Sequence, residues 1–157
     1  MTEATELARR FRGKRVLVLG DAMLDAYYEG SATRLSAEAP VPVVLGRRRT
    51  YVPGGAANVA VNVRSLGASV TFLSIVGADE AGQLLKEALV SRHVSLGHLI
   101  EDRRRRTIQK LRVVADGHHV VRFDEGDTTA LSAETEAALL AKLRPAYTWG
   151  RGRRCAR

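Results

Sequence analysis

The 157-residue sequence predicts an α/β fold: a parallel sheet flanked by helices and carrying a small β lid. Three features predict it. Two short apolar runs, RVLVL (15–19) and VTFLSIV (70–76), are each followed by a glycine and then an acidic residue. Buried parallel strands with a ligand-facing loop at the carboxyl end read this way. Helical periodicity fills the stretches after each run, and strand, helix, strand, helix in this order argues for right-handed crossovers in a parallel sheet. Finally, Asp116-Gly117 lies between two strand-like runs, which signals a hairpin and hence a second, smaller sheet.

Taken in chain order, MTEATELARRFRGKR carries Glu3 and Glu6 without a long apolar run, so it reads as a surface helix and not as a signal peptide. The first strand ends at Gly20-Asp21. From 27 to 52 the chain is extended in character, and Pro40 and Pro42 forbid a helix across 39–44. Over 54–66, Ala56, Val59, Ala60, Val63 and Leu66 recur at three- and four-residue steps, a helix with one apolar face and Gly67 as its C-terminal cap. After the second strand, Asp79 is placed to cap a helix whose Leu84, Leu85, Ala88 and Leu89 face inward. Residues 107–115 and 118–123 form the hairpin. Ser132 then caps a helix with Glu134 and Glu136 in its first turn and Lys142 and Arg144 at its end, where Pro145 is expected to stop it.

The length suits one domain with a real core. No run reaches the about 18 uninterrupted apolar residues of a membrane span, and a single cysteine, Cys155, fits a reducing cytoplasm and no internal disulfide. The net charge of +8 raises a nucleic-acid hypothesis. The excess lies in Arg47–Arg49, Arg103–Arg106 and the tail arginines 151, 153, 154 and 157. No aromatic residues interleave with them as a base-stacking platform needs, and no zinc spacing is present. A solvated basic surface is the favoured reading, and metal is not called for.

Ligands of open α/β sheets bind at the carboxyl ends of strands. There the chain offers Asp25, Gly54, Gly55 and Asn58. A carboxylate that accepts hydroxyl hydrogens and an amide that donates and accepts make a polyol site beside a helix start whose N–H groups are bare. Asp25 reads equally as a loop or cap residue, and Gly54-Gly55 equally as tight helix–sheet packing. On the hairpin, Lys110 and Arg112 share one strand face, as do Arg122 and Asp124. Two cations facing a cleft would suit a substrate phosphate, while an ordinary charged solvent face fits the same spacing. Neither a G-x-x-x-x-G-K-[ST] loop nor G-x-G-x-x-G after the first strand is present.

The segments VLVLGDAMLDAYYEG (16–30), RLSAEAPVPVV (34–44), PGGAANVAVNVRSLGA (53–68), IVGADEAG (75–82) and TIQKLRVVADGHHVVRFDEG (107–126) together resemble the ribokinase (PfkB) family of sugar kinases. Within that family they most resemble the heptose 7-phosphate kinase domain of the bifunctional heptose kinase and adenylyltransferase of ADP-heptose synthesis. The resemblance implies a ribokinase-like fold and ATP-dependent phosphoryl transfer with Mg2+ to a sugar hydroxyl. It implies that Asp25, Gly54, Gly55 and Asn58 bind sugar hydroxyls. Residues matching Lys110 and Arg112 hold the substrate phosphate, and Asp124 follows on the partner strand. The lid, about 26–52 and 107–124, commonly forms a dimer contact.

Residues 1–147 thus read as the N-terminal part of a kinase domain about twice as long. The second half of such a domain carries the ATP site and a Gly-Ala-Gly-Asp motif whose Asp is the base, and no equivalent occurs in this sequence. DEGDTT (124–129) has Glu125 where that loop needs a small residue and reads as a plain loop. The tail 148–157, ending GRGRRCAR, has the residue bias of a shifted reading frame in GC-rich DNA. The expectation is therefore a truncated or frameshifted kinase product, holding the sugar half of the site and inactive alone, with one edge of its sheet unpaired. A non-catalytic sugar-phosphate-binding or dimerising fragment, and a family kinase for ribose, fructose or a nucleoside, are the alternatives.

Overall fold

The computed structural model describes residues 3–148, so the tail and Cys155 lie outside the described residues. In chain order the elements are α1 (Glu3–Arg9), β1 (Arg15–Leu19), β2 (Ala22–Leu35), β3 (Pro42–Gly55), α2 (Ala56–Ser65), β4 (Ser69–Gly77), α3 (Glu80–Val90), β5 (Leu99–Asp102), β6 (Ile108–Ala115), β7 (His118–Glu125) and α4 (Ala133–Thr148). The two apolar runs pair in parallel, Val16 beside Val70 and Leu19 beside Leu73. β5 adds in parallel to the other edge of β4, giving the order β1-β4-β5. Four residues are too few to show a periodicity, and the sequence reading missed β5. β1 has no second neighbour among the described residues, and Leu19 is 48% exposed. β5 likewise has no second neighbour, so both edges of this sheet are open among the described residues.

Phe72, Val76, Leu85, Leu89 and Leu24 form the core, between the parallel sheet, helices α2 and α3, and the base of the lid. Asp79 caps α3 as expected, its carboxylate accepting from the Gly82 N–H at 2.8 Å. Ser132 likewise caps α4 through the Thr135 N–H.

Three local expectations change. The glycine pair ends β3, and the helix begins only at Ala56. The buried stripe of α2 is Ala57 and Ala60, with Val59 half exposed. Alanines face inward because the helix lies close on the strand end: a Cβ on Gly20 would sit 3.0 Å from the Ala56 Cβ. Lastly, α4 runs through Pro145 to Thr148. Pro145 has no N–H to give the Ala141 carbonyl four residues earlier, and only three residues of α4 follow it.

The lid is a four-stranded sheet of order β3-β2-β6-β7. β2 is antiparallel to β3 and parallel to β6, and β6–β7 is the predicted hairpin. Asp116 and Gly117 both take positive φ, 50° and 82°, as a two-residue hairpin turn requires. Asp116 also ties the turn to β2, its Oδ2 accepting from the Ala32 N–H at 3.1 Å and its own N–H donating to the Gly30 carbonyl at 3.0 Å.

Both lid roots are anchored on the end of β4. Buried Ser74 donates to the Gly20 carbonyl at 2.6 Å and accepts from the Ala22 N–H at 2.9 Å. Thr107, at the second root, donates its N–H and its hydroxyl to Asp79 at 2.8 and 2.7 Å, and its Oγ1 accepts from the Gly77 N–H at 2.8 Å.

Candidate functional site

Asp25 is the fourth residue of β2, on a strand and not in a loop or at a helix cap. Ala22, Leu24 and Ala26 are buried against the core, so the alternation of a strand turns Met23, Asp25 and Tyr27 to the opposite face. Register extends that face across the lid. Asp25 is opposite Lys110 on β6, Tyr27 opposite Arg112, and Met23 opposite Gly54 on β3. Lys110 is in turn opposite Asp124, and Arg112 opposite Arg122, on β7. One face therefore gathers Asp25, Gly54, Lys110, Arg112 and Asp124.

The charges on this face are partly paired. Arg112 Nη1 lies 2.5 Å from Asp25 Oδ1, with both side chains about four-fifths buried (19% and 21% exposed). The guanidinium also stands 5.2 Å from the centre of the Tyr27 ring, a cation–π geometry. The Asp25 hydrogen bond, acting against partial burial, holds the Arg112 guanidinium above its ordinary pKa. Asp124 is taken by Arg122 in a two-pronged pair, at 2.9 Å from Nε and 3.1 Å from Nη2. Lys110 is half-buried and makes no ion pair among the described residues.

The glycines follow from this packing. A Cβ on Gly54 would collide with Asp25 Oδ2 and would sit 2.8 Å from Met23 Cγ. Gly55 has φ 56° and would bring a Cβ within 2.7 Å of the Asp21 carbonyl, a conformation and an approach that only glycine tolerates. Between them, they let the Asp25 carboxylate lie flat on β3 at the threshold of α2. No side chain caps α2, and the Ala56 N–H goes to the Asp21 carbonyl at 3.0 Å. Asn58 is exposed in the first turn and accepts from Asn62 Nδ2 at 3.2 Å. Among the described residues no hydrogen bond joins it to Asp25, so it borders the cluster without entering it.

Tyr27 is a member of this face that the sequence reading missed. Its position two residues beyond Asp25 would have placed it there had 22–35 been read as a strand. The arginine clusters are engaged elsewhere: Arg48 pairs with Glu29 at 2.5 Å, Arg49 covers the Tyr28 ring, and Arg105 donates to the carbonyls of Asp127, Thr129 and Ala130. Among the described residues no three His, Cys, Asp or Glu side chains gather to hold a metal. No described helix is long and apolar enough to cross a membrane.

A profile of the pfkB family carbohydrate kinases matches residues 14–147. The chain belongs to that family. Curated relatives are consistent. The bifunctional protein HldE of Azorhizobium caulinodans is 46% identical over 126 residues, 80% of this chain and 26% of that protein. The HldE of Caulobacter vibrioides is 42% identical over 138 residues, 85% of this chain and 29% of that protein. The chain thus spans little more than a quarter of the length of these relatives. A carbohydrate kinase from Agrobacterium tumefaciens matches the fold with a TM-score of 0.59 at 26% identity, over 71% of this chain and 35% of that one. Arabidopsis thaliana ribokinase complexed with ribose and ATP matches at 0.58 and 18% identity, over 83% and 43%; at that identity the likeness is one of fold. The α/β, ribokinase-like architecture expected from the sequence is borne out, and this pfkB chain is by family a sugar kinase.

Proposed function

We propose that this pfkB chain carries the sugar-side half of an ATP-dependent heptose 7-phosphate kinase site. The observation that carries the reading is the single lid face on which Asp25, Lys110 and Arg112 converge over Gly54. In this reading the Asp25 carboxylate accepts sugar hydroxyls, with Asn58 and the uncapped start of α2, beside Gly55, completing the sugar's contacts. Lys110 and Arg112 take the substrate phosphate, and Asp124 keeps Arg122 turned away from them. The identity to HldE proteins favours a heptose phosphate over ribose, fructose or a nucleoside.

Phosphoryl transfer needs a base for the attacking hydroxyl and charge stabilisation around the moving phosphoryl group. ATP with Mg2+ is the donor we assign to the complete domain. The sequence has no G-x-x-x-x-G-K-[ST] loop, and the role we assign to this chain alone is binding of the sugar phosphate without turnover. We place it in the cytoplasm, where both ligands are made.

A second reading has one observation of its own. On the opposite lid face, Val121 and Phe123 are exposed (40% and 56%), which suits a homodimer of sugar-phosphate-binding chains formed through the lids.

The test is calorimetric titration of the purified chain with heptose 7-phosphate, ribose and fructose, with ATP-dependent phosphorylation assayed in parallel. Binding of heptose 7-phosphate alone, without turnover, is the expected result. Preference for an unphosphorylated sugar would overturn the substrate assignment, and robust turnover would overturn the half-site assignment.

A further inference from the structure

The Asp25–Arg112 pair poses a problem for the reading just given, on which this inference rests for its ligand. The carboxylate assigned to sugar hydroxyls already has Oδ1 occupied by Arg112, and its Oδ2 packs against Gly54. The guanidinium assigned to phosphate is spent on Asp25. Lys110, by contrast, stands on the same face and makes no ion pair among the described residues.

We propose that the Asp25–Arg112 ion pair is a charge-exchange latch: the empty site stores Arg112 on Asp25, and a ligand is admitted when its hydroxyls replace Arg112 at the carboxylate and its phosphate receives the released guanidinium. Each half of the exchange is unfavourable alone. Hydroxyls without a phosphate would leave a largely buried guanidinium over the Tyr27 ring without a counter-ion. An anion without hydroxyls would strip Asp25 of the one ion pair it makes among the described residues, in a site about four-fifths buried. A largely buried charge deprived of its partner is strongly disfavoured, so only a ligand carrying both groups compensates both. With the Glu29–Arg48 pair that the same alternation places there, the face holds four cations, Lys110, Arg112, Arg122 and Arg48, against three carboxylates, Asp25, Asp124 and Glu29, and the balance favours an anion. Successive same-face positions on a strand are about 7 Å apart, so a phosphate seated at Lys110 lies within reach of the Arg112 side chain swinging along β6. The latch makes Arg112 a specificity-determining residue that rejects free sugars and free phosphate alike.

A double-mutant cycle on the full chain tests it, using Asp25→Asn, Arg112→Gln and their combination, with inorganic phosphate and heptose 7-phosphate titrated separately. With Arg112 stored on Asp25, Arg112→Gln changes inorganic phosphate affinity less than threefold in the wild-type background. In the Asp25→Asn background, where the guanidinium is free, the same change lowers it at least tenfold. Equal losses in both backgrounds, or no phosphate binding by the Asp25→Asn chain, overturn the latch. For heptose 7-phosphate, Arg112→Gln in the wild-type background costs tenfold or more; a loss under threefold overturns the proposal.

Side-chain 15N NMR of the unmutated chain gives a readout independent of the variants' folding. The Arg112 guanidinium signals shift with heptose 7-phosphate and stay in place with inorganic phosphate; movement with both overturns the latch. The sugar reading fails separately. If the unmutated chain does not bind heptose 7-phosphate while the phosphate cycle remains non-additive, the substrate assignment falls and the stored arginine stands. An additive cycle in a chain that binds heptose 7-phosphate removes the latch alone.

Discussion

Replacing Asp79 with alanine removes three hydrogen bonds at once, from the Gly82 N–H, the Thr107 N–H and the Thr107 hydroxyl, all at 2.7–2.8 Å. Loss of a helix N-cap costs about 0.5–2 kcal/mol. Thr107 is 4% exposed, so its N–H is left buried without an acceptor, which costs about 1–3 kcal/mol more. Part of this overlaps, because the same carboxylate serves both ends, and a total of about 2–4 kcal/mol is expected. In urea, with a slope of about 1–3 kcal/mol per molar, the unfolding midpoint should fall by about 0.7 molar or more.

Asp79→Asn is nearly as damaging, since an amide NH2 would face the Thr107 N–H. The pH dependence is the sharper check. Burial raises the Asp79 pKa, but the hydrogen bonds from Thr107 and Gly82 outweigh it, and the net shift is downward. A carboxylate depressed in the folded state contributes stability above its unfolded pKa of about 4 and loses it as pH falls through the folded value. The stability gap between wild type and Asp79→Asn should therefore be constant from pH 7 to about 5 and close as pH drops below about 4. A variant within 0.5 kcal/mol of wild type at pH 7, about the scatter of ordinary surface changes, would refute the assignment of Asp79 as the clip of the second lid root.

Gly54→Ala forces a methyl into the Asp25 carboxylate and Met23; overpacking of this kind costs about 1–3 kcal/mol, and with Asp25 displaced, heptose 7-phosphate affinity by calorimetry should fall in step with the melting temperature. Lys110→Met has no ion pair to break, so its melting temperature stays at the wild-type value while heptose 7-phosphate affinity drops about tenfold to a hundredfold, the worth of one charge-assisted hydrogen bond. An unchanged affinity would take Lys110 out of the site. Ser74→Ala leaves the Ala22 N–H without its side-chain acceptor in a buried setting, a loss of about 1–3 kcal/mol measurable by urea unfolding.

What could be read in the sequence was whatever local chemistry decides. The Asp116-Gly117 turn, the Asp79 and Ser132 caps and the apolar strands β1 and β4 each carry their signal within a few residues, and all are in place. Gly54 was legible as a constrained glycine, but its cause was not: the atom that excludes a Cβ belongs to Asp25, a cross-strand contact from 29 positions away. Asp25 read equally as a site carboxylate and as a loop or cap residue, and only the pairing with β3 and β6 makes 22–35 a strand. The charges on the lid face were legible as candidates. Their partners were not, since strand spacing places Arg112 on a face without saying that Asp25, 87 residues earlier, takes its guanidinium.

The two lid roots explain why the site can be precise although it stands on a sheet that projects from the core. Ala22 is held by Ser74 and Thr107 by Asp79, and both anchors belong to the carboxyl end of β4 and the turn after it. Asp25 lies three residues above Ala22 and Lys110 three above Thr107, and the parallel register sets them side by side. Both functional positions therefore stand at the same height over a pinned base. Buried, fully hydrogen-bonded polar groups of this kind cost heavily to break. Any closing movement of the lid must then be taken up farther out, beyond the irregularity between Glu29 and Gly30 on β2. A ligand phosphate reaching toward Arg112 would meet the lid just before that point, since Arg112 stands opposite Tyr27, two residues ahead of Glu29.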